Sequence, residues 1–165
     1  IYGAEDFKEP ASFRLADKAV KVPGLDGTGK MGKAEGKCLY LCDDEKTVTK
    51  KIMRAVTDQG PTQLNQEKPE VIQNLFTLCE LLSGKEAADY YNDLYNNMQI
   101  RYGDMKKQMA ADANALLAPI RERILAYSSD DALLDRIMRQ GAEKAAARAE
   151  KTIEEVREII GFRKI

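Results

Sequence analysis

From Pro69 onward, apolar residues recur at helical spacing almost without interruption. Val71, Ile72, Leu75, Phe76, Leu78, Cys79 and Leu82 mark one face of a helix that Pro69-Glu70 opens and Ser83-Gly84 closes. A second helix is predicted from about Ala87 to Ile100, carrying Tyr90, Tyr91, Leu94, Tyr95 and Met98. Asp104 begins a long third one with Met105, Met109, Ala113, Leu116, Leu117, Ile120 and Ile124, in which Pro119 is a candidate kink. Ser129-Asp130-Asp131 reads as the cap of a fourth, which Gly141 either ends or marks as a close contact, and Ala142 to Ile160 reads as the last. Glu150, Glu154 and Glu158, four apart with basic residues interleaved, make that last helix a solvent-facing one.

The stretch before Gly60-Pro61 is patterned differently. Short strand-like pieces, Ala19-Val20-Lys21-Val22 and Cys38-Leu39-Tyr40-Leu41, alternate with glycine-rich turns. One helix is expected from Asp43-Asp44-Glu45 through Val56, with Val48, Ile52, Ala55 and Val56 on one face and Lys46, Lys50, Lys51 and Arg54 left mostly free. The fold class is therefore mainly α: an α/β remnant over residues 1–60, then an α-helical bundle over 61–165. No internal repeat of fixed period is present.

Composition narrows the chemistry. The 165 residues suffice for one domain with a real core, and 26 Lys+Arg against 27 Asp+Glu give a net charge of -1, so nucleic-acid binding has to come from local clustering. There is no histidine, which removes Ser-His and Cys-His catalysis. The three cysteines, Cys38, Cys42 and Cys79, suit a reducing compartment and leave a tetrahedral metal site without its ligands, so no metal is expected on this chain. No apolar run approaches bilayer length. The start, Ile1-Tyr2-Gly3, has neither an initiator Met nor a signal-peptide pattern and reads as a piece of something longer.

Chemistry concentrates in Pro23 to Gly36, which holds five glycines and two lysines. Glycines let backbone approach an anion and lysines supply mobile positive charge, so the segment is a phosphate-handling loop or, on composition alone, a solvated surface hairpin. Gly24 to Lys30 matches a P-loop up to its lysine, but Met31 stands where Ser or Thr must bind Mg²⁺, and this match is taken as coincidence.

Lys30-Met31-Gly32-Lys33-Ala34 resembles the Lys-Met-Ser-Lys-Ser signature of class I aminoacyl-tRNA synthetases. The flanks, Val22-Pro23-Gly24-Leu25-Asp26-Gly27 before it and Lys50-Lys51-Ile52-Met53-Arg54-Ala55-Val56-Thr57-Asp58 after it, are similar to the tryptophanyl-tRNA synthetase family. Arg101 to Lys107, Pro119-Ile120-Arg121 and Gly141 to Ala145 are similar to that family's helical anticodon-binding region. Gly32 and Ala34 replace both serines of the signature, and the family's His-Ile-Gly-His-like signature is missing.

The resemblance implies that residues 1–60 end a Rossmann-like catalytic domain and that 61–165 form the anticodon-binding helices. It implies a parent that activates tryptophan with ATP and Mg²⁺ and charges tRNA(Trp), a cytoplasmic homodimer without membrane contact. This chain alone is expected to be inactive and to bind no cofactor. Lys30 and Lys33 are the expected catalytic cations, and Lys30, Met31, Gly32 and Lys33 the ATP-binding loop, with Gly27 and Gly29 as its hinges. Arg101, Lys106, Lys107, Arg136, Arg139 and Lys144 are candidates for tRNA phosphates, since residues 101–165 carry 13 Lys+Arg against 11 Asp+Glu. Tyr90, Tyr91, Tyr95 and Tyr102 offer stacking faces, although the spacing of Tyr91 and Tyr95 equally suits core packing. A stand-alone helical RNA-binding module without catalysis is the alternative.

Overall fold

The computed structural model describes residues 10–11, 21–27, 29–33 and 38–162. They contain five helices: α1 (Glu45–Met53), α2 (Glu70–Ser83), α3 (Lys85–Asn96), α4 (Tyr102–Ser128) and α5 (Asp131–Ile159). The chain divides into two units, residues 20–124 and residues 1–19 with 125–165.

Local chemistry sets the helix ends. The Asp44 carboxylate accepts the Thr47 amide at 2.7 Å and satisfies one of the donors that a first turn leaves open. That bond holds the Asp44 carboxyl below its ordinary value of 3.8. Because the folded state lowers this pKa, the cap stabilises α1 fully above the unfolded value and loses its contribution as pH falls through the folded one. Asp44→Asn, which keeps an acceptor but does not titrate, is expected to flatten the acid limb of a stability-versus-pH curve measured by circular dichroism.

Gly84 closes α2 and opens α3 at φ +86°, so one left-handed residue makes the whole corner. The sequence expectation carried α3 to Ile100, but it stops at Asn96. Asn97 Nδ2 donates to the Asp93 carbonyl at 2.8 Å and Met98 turns left-handed at φ +58°, a local side-chain bond that competes with helix propagation. The last two expected helices are one. α5 runs unbroken through Gly141, where no described atom lies within 4 Å of the position of a Cβ, so this glycine is neither a terminus nor a contact. The alanines that follow carry the helix past its cost. Pro119 likewise sits inside α4.

The strand-like pieces form no strand among the described residues. The one pairing is an isolated antiparallel bridge between Pro23 and Lys30, while Cys38 to Leu41 is irregular and Ala19-Val20 lie outside the described residues. A lone bridge without neighbouring strands has too little burial to propagate into a sheet. The mainly α expectation holds.

In the unit of residues 20–124 one core crosses the composition change at residue 60. Val48 and Ile52 of α1 pack with Ile72, Leu75, Leu78 and Cys79 of α2, Tyr91 and Tyr95 of α3, and Met105, Met109, Ala113 and Leu117 of α4. Ile52, Ile72 and Met105 are fully buried, each contributing about 1.5–3 kcal/mol of transfer free energy. Tyr95 meets Phe76 edge-to-face at 5.9 Å, and the Lys68 ammonium lies 4.6 Å from the Tyr95 ring centre. In the other unit α5 is capped by Asp130, whose carboxylate accepts the Leu133 amide at 2.9 Å. Among the described residues, no helix is long and apolar enough to cross a membrane.

Candidate functional site

The glycine-lysine segment is a loop with a fixed base. The Met31 amide donates to the Val22 carbonyl at 2.8 Å and the Gly27 amide to the Gly24 carbonyl at 3.0 Å, closing a tight turn between the two bridged residues Pro23 and Lys30. Leu25 is buried in the core and its carbonyl accepts the Val56 amide at 3.1 Å, so the turn is tied to the segment leaving α1. Asn74 of α2 donates to the Gly27 carbonyl at 2.8 Å.

Two glycines expected to be hinges therefore differ. Gly27 is buried at φ +77°, and a Cβ there would lie 2.7 Å from Val71 Cγ1, so it is the anchor of the loop rather than a pivot. Gly29, at φ +59° with no described atom within 4 Å, has the room a pivot needs. Beyond it the side chains separate by chemistry: Met31 packs against the core, while Lys30 and Lys33 are exposed. A Cβ at Gly32 would come no closer than 3.8 Å to the Lys30 carbonyl oxygen, so glycine is not required there by space. Thr28 and Ala34 lie outside the described residues.

Beside the base of the loop a cavity of about 510 Å³ is lined by Leu25, Asp26, Thr47, Lys50, Lys51, Arg54 and Val56. Its cations come from one face of α1, where residues 47, 50, 51 and 54 fall together. Lys51 is committed: its ammonium is 2.5 Å from the Asp43 carboxylate and 4.6 Å from the centre of the Tyr40 ring. Lys50 and Arg54 are exposed and give this face its positive potential.

The candidates for tRNA phosphates scatter. Arg101 is exposed, and with Tyr90, Tyr91, Leu94, Gln99 and Asp104 it lines a cavity of about 290 Å³. Lys107 is exposed and pairs loosely with Asp104 at 3.4 Å. Arg136, Arg139 and Lys144 are exposed along α5, in the other unit.

Lys106 leaves the set. It is only 7% exposed, and its ammonium donates to the Ala55 carbonyl at 2.6 Å and to Thr57 Oγ1 at 3.5 Å. Helical spacing could not reveal this, because the acceptors lie about fifty residues earlier. Of the four tyrosines only Tyr90 offers an exposed ring. Tyr91 and Tyr95 are core residues, and Tyr102 donates its hydroxyl to Asp58 at 2.7 Å, with burial pushing its pKa well up.

The model of the tRNA synthetases of class I, the tryptophan and tyrosine type (W and Y), matches residues 4–118. The chain belongs to this family. It is 55% identical over 163 residues to the tryptophan–tRNA ligase of Porphyromonas gingivalis, an alignment covering 99% of this chain and 50% of that protein. It is 37% identical over 151 residues to the tryptophan–tRNA ligase of Streptococcus pyogenes serotype M1, covering 88% of this chain and 44% of that protein. Among solved structures it is similar to tryptophanyl-tRNA synthetase from Campylobacter jejuni complexed with ADP and tryptophan, with a TM-score of 0.69 and 25% identity over 90% of this chain and 46% of that one. The chain thus spans about half the length of the relatives it matches. The similarity runs well past residue 118, so the class I synthetase likeness embraces the long helices as well as the loop.

Proposed function

We propose that this chain is the loop-bearing and helical half of a tryptophan–tRNA ligase, which joins tryptophan to the AMP part of ATP with release of pyrophosphate and then transfers the tryptophanyl group to tRNA(Trp) with release of AMP. The 55% identity over nearly the whole chain carries this reading, and the loop supplies its chemistry. As the tryptophan carboxylate attacks the α-phosphorus, negative charge builds on the departing pyrophosphate. Lys30 and Lys33, exposed on a loop whose base is pinned, bring two ammonium groups to those oxygens and stabilise the transition state more than bound ATP. Met31, seated against the core, sets how far the two lysines reach. Gly29 supplies the freedom to close.

Mg²⁺ arrives on the ATP phosphates in this reading. Among the described residues no group of three or more His, Cys, Asp or Glu side chains stands close enough to hold a metal ion. The tryptophan pocket lies in the half that the relatives have and this chain does not span, so the chain alone is inactive. The full-length protein is a homodimer acting in the cytoplasm. Arg101, Lys107, Arg136, Arg139 and Lys144 contact tRNA phosphates, and Tyr90 offers a stacking face to an unpaired base.

The test is amino-acid-dependent exchange of labelled pyrophosphate into ATP by the full-length protein. Exchange with tryptophan and none with tyrosine is expected. Exchange with tyrosine instead, or with neither, would overturn the reading.

A further inference from the structure

Lys106 is the one buried charged residue described in this protein, and an ammonium is not taken out of water without a partner. Its partners lie in the four-residue segment that leaves α1, Ala55-Val56-Thr57-Asp58. That segment is gripped twice from α4. Lys106 holds the Ala55 carbonyl at 2.6 Å, and Tyr102, one turn earlier, holds the Asp58 carboxylate at 2.7 Å. Between those two grips the Val56 amide donates to the Leu25 carbonyl at 3.1 Å, and Leu25 is the buried residue at the base of the lysine loop. The contacts form a continuous series: α4, the segment after α1, Leu25, then the turn that presents Lys30 and Lys33.

We propose that Lys106 is a positioning residue for the lysine loop, acting through Ala55, Val56 and Leu25 to fix where Lys30 and Lys33 stand. It rests on the activity proposed above. The position suits the task. A buried ammonium against the Ala55 carbonyl gives a charge-assisted bond with little freedom of direction. Burial lowers the pKa of Lys106. No acidic side chain forms an ion pair with it among the described residues, so the bond to Ala55 carries the holding.

The first test is made in the full-length protein. In Lys106→Met, which keeps length and apolar stem but has no donor, exchange of the Val56 and Met31 amides is expected to quicken roughly 10- to 100-fold, the loss of one charge-assisted bond. Amides in the middle of α2 should keep their rates. Quickening everywhere would mean loss of general stability and overturn the proposal, as would no change at Val56. Tyr102→Phe, which loses only the Asp58 bond, serves if Lys106→Met does not fold, with the same pattern expected at smaller amplitude.

The second test is a cycle in the full-length protein with Lys33→Ala. Lys106→Met is expected to slow adenylate formation about tenfold with the KM for ATP unchanged, and to slow it by clearly less than that once Lys33 is gone, the remainder acting through Lys30. Independent, multiplying effects would overturn the positioning role while leaving the ligase reading intact. Absence of tryptophan-dependent exchange in the unaltered protein would instead remove the ligase reading itself.

Discussion

Lys33→Ala in the full-length protein is expected to lower the rate of tryptophanyl-adenylate formation by roughly 10²–10³-fold while the KM for ATP moves little, the size seen when one preorganised donor to a developing oxyanion is removed. The asymmetry follows from where the charge goes. In bound ATP the β- and γ-phosphates are already solvated or neutralised, and an exposed ammonium on a loop adds little to ground-state binding. When the bond to the α-phosphorus breaks, the leaving pyrophosphate gains charge at the oxygens the loop can reach, and the ammonium is worth most at that moment. Lys33 is exposed, and the neighbouring contact with the core is made by Met31, so the substitution removes charge without disturbing the packing that holds the loop. Single-turnover measurement of adenylate formation over a range of ATP concentrations separates the two quantities. Equal losses in rate and in ATP affinity would show that Lys33 binds ATP uniformly and does not favour the transition state.

Local signals in the sequence carried much of the helical architecture. Pro69-Glu70 and Ser83-Gly84 bracket α2 within a residue of where it begins and ends, because caps and breakers act over one turn. The apolar spacing of Met105, Met109, Ala113 and Leu117 likewise reports a face that is buried. Reading failed where the deciding partner was distant or where two local tendencies competed. Gly141 looks like a stop, but a long alanine-rich helix absorbs one glycine at a cost near 1 kcal/mol. Asn97 ends α3 early through a bond to its own helix that periodicity does not register. The strand-like Cys38 to Leu41 has the composition of a strand but pairs with nothing among the described residues.

The site divides along the same line. Glycine and charge crowded into fourteen residues left a phosphate loop and a surface hairpin both open. It is the resemblance of Lys30 to Ala34 to a family signature that singles out the two lysines, whereas the ties that fix them could not be read at all. Asn74 to Gly27 spans 47 positions and Lys106 to Ala55 spans 51. A lysine among other basic residues on a helix offers a phosphate contact or a solvated face, and neither reading places Lys106 in the interior. Only tertiary packing, which turns Met105, Lys106 and Met109 inward together, reveals its different use.

Gly27→Ala is expected to destabilise the protein by about 2–5 kcal/mol, and to do so at the base of the loop. Two independent costs add. At φ +77° an L-residue pays on the order of 1–2 kcal/mol for its Cβ against its own backbone. The new methyl would also stand 2.7 Å from Val71 Cγ1 and 3.1 Å from Val71 Cβ, and Val71 lies in the first turn of α2, where a branched side chain has few rotamers to retreat into. Forcing an extra methyl into packed surroundings costs about 1–3 kcal/mol. Relief by backbone movement would have to pull the Gly27 carbonyl away from Asn74 and Leu25 out of the core. Val71→Ala removes the methyls that the new group would strike, so it should recover the steric part and leave the conformational part. Urea unfolding of the two single variants and the double one measures the split: partial recovery in the double variant is expected. Full additivity of the two losses would show that Val71 is not what Gly27 makes room for, and an unchanged midpoint for Gly27→Ala alone would show that the turn is not held at positive φ.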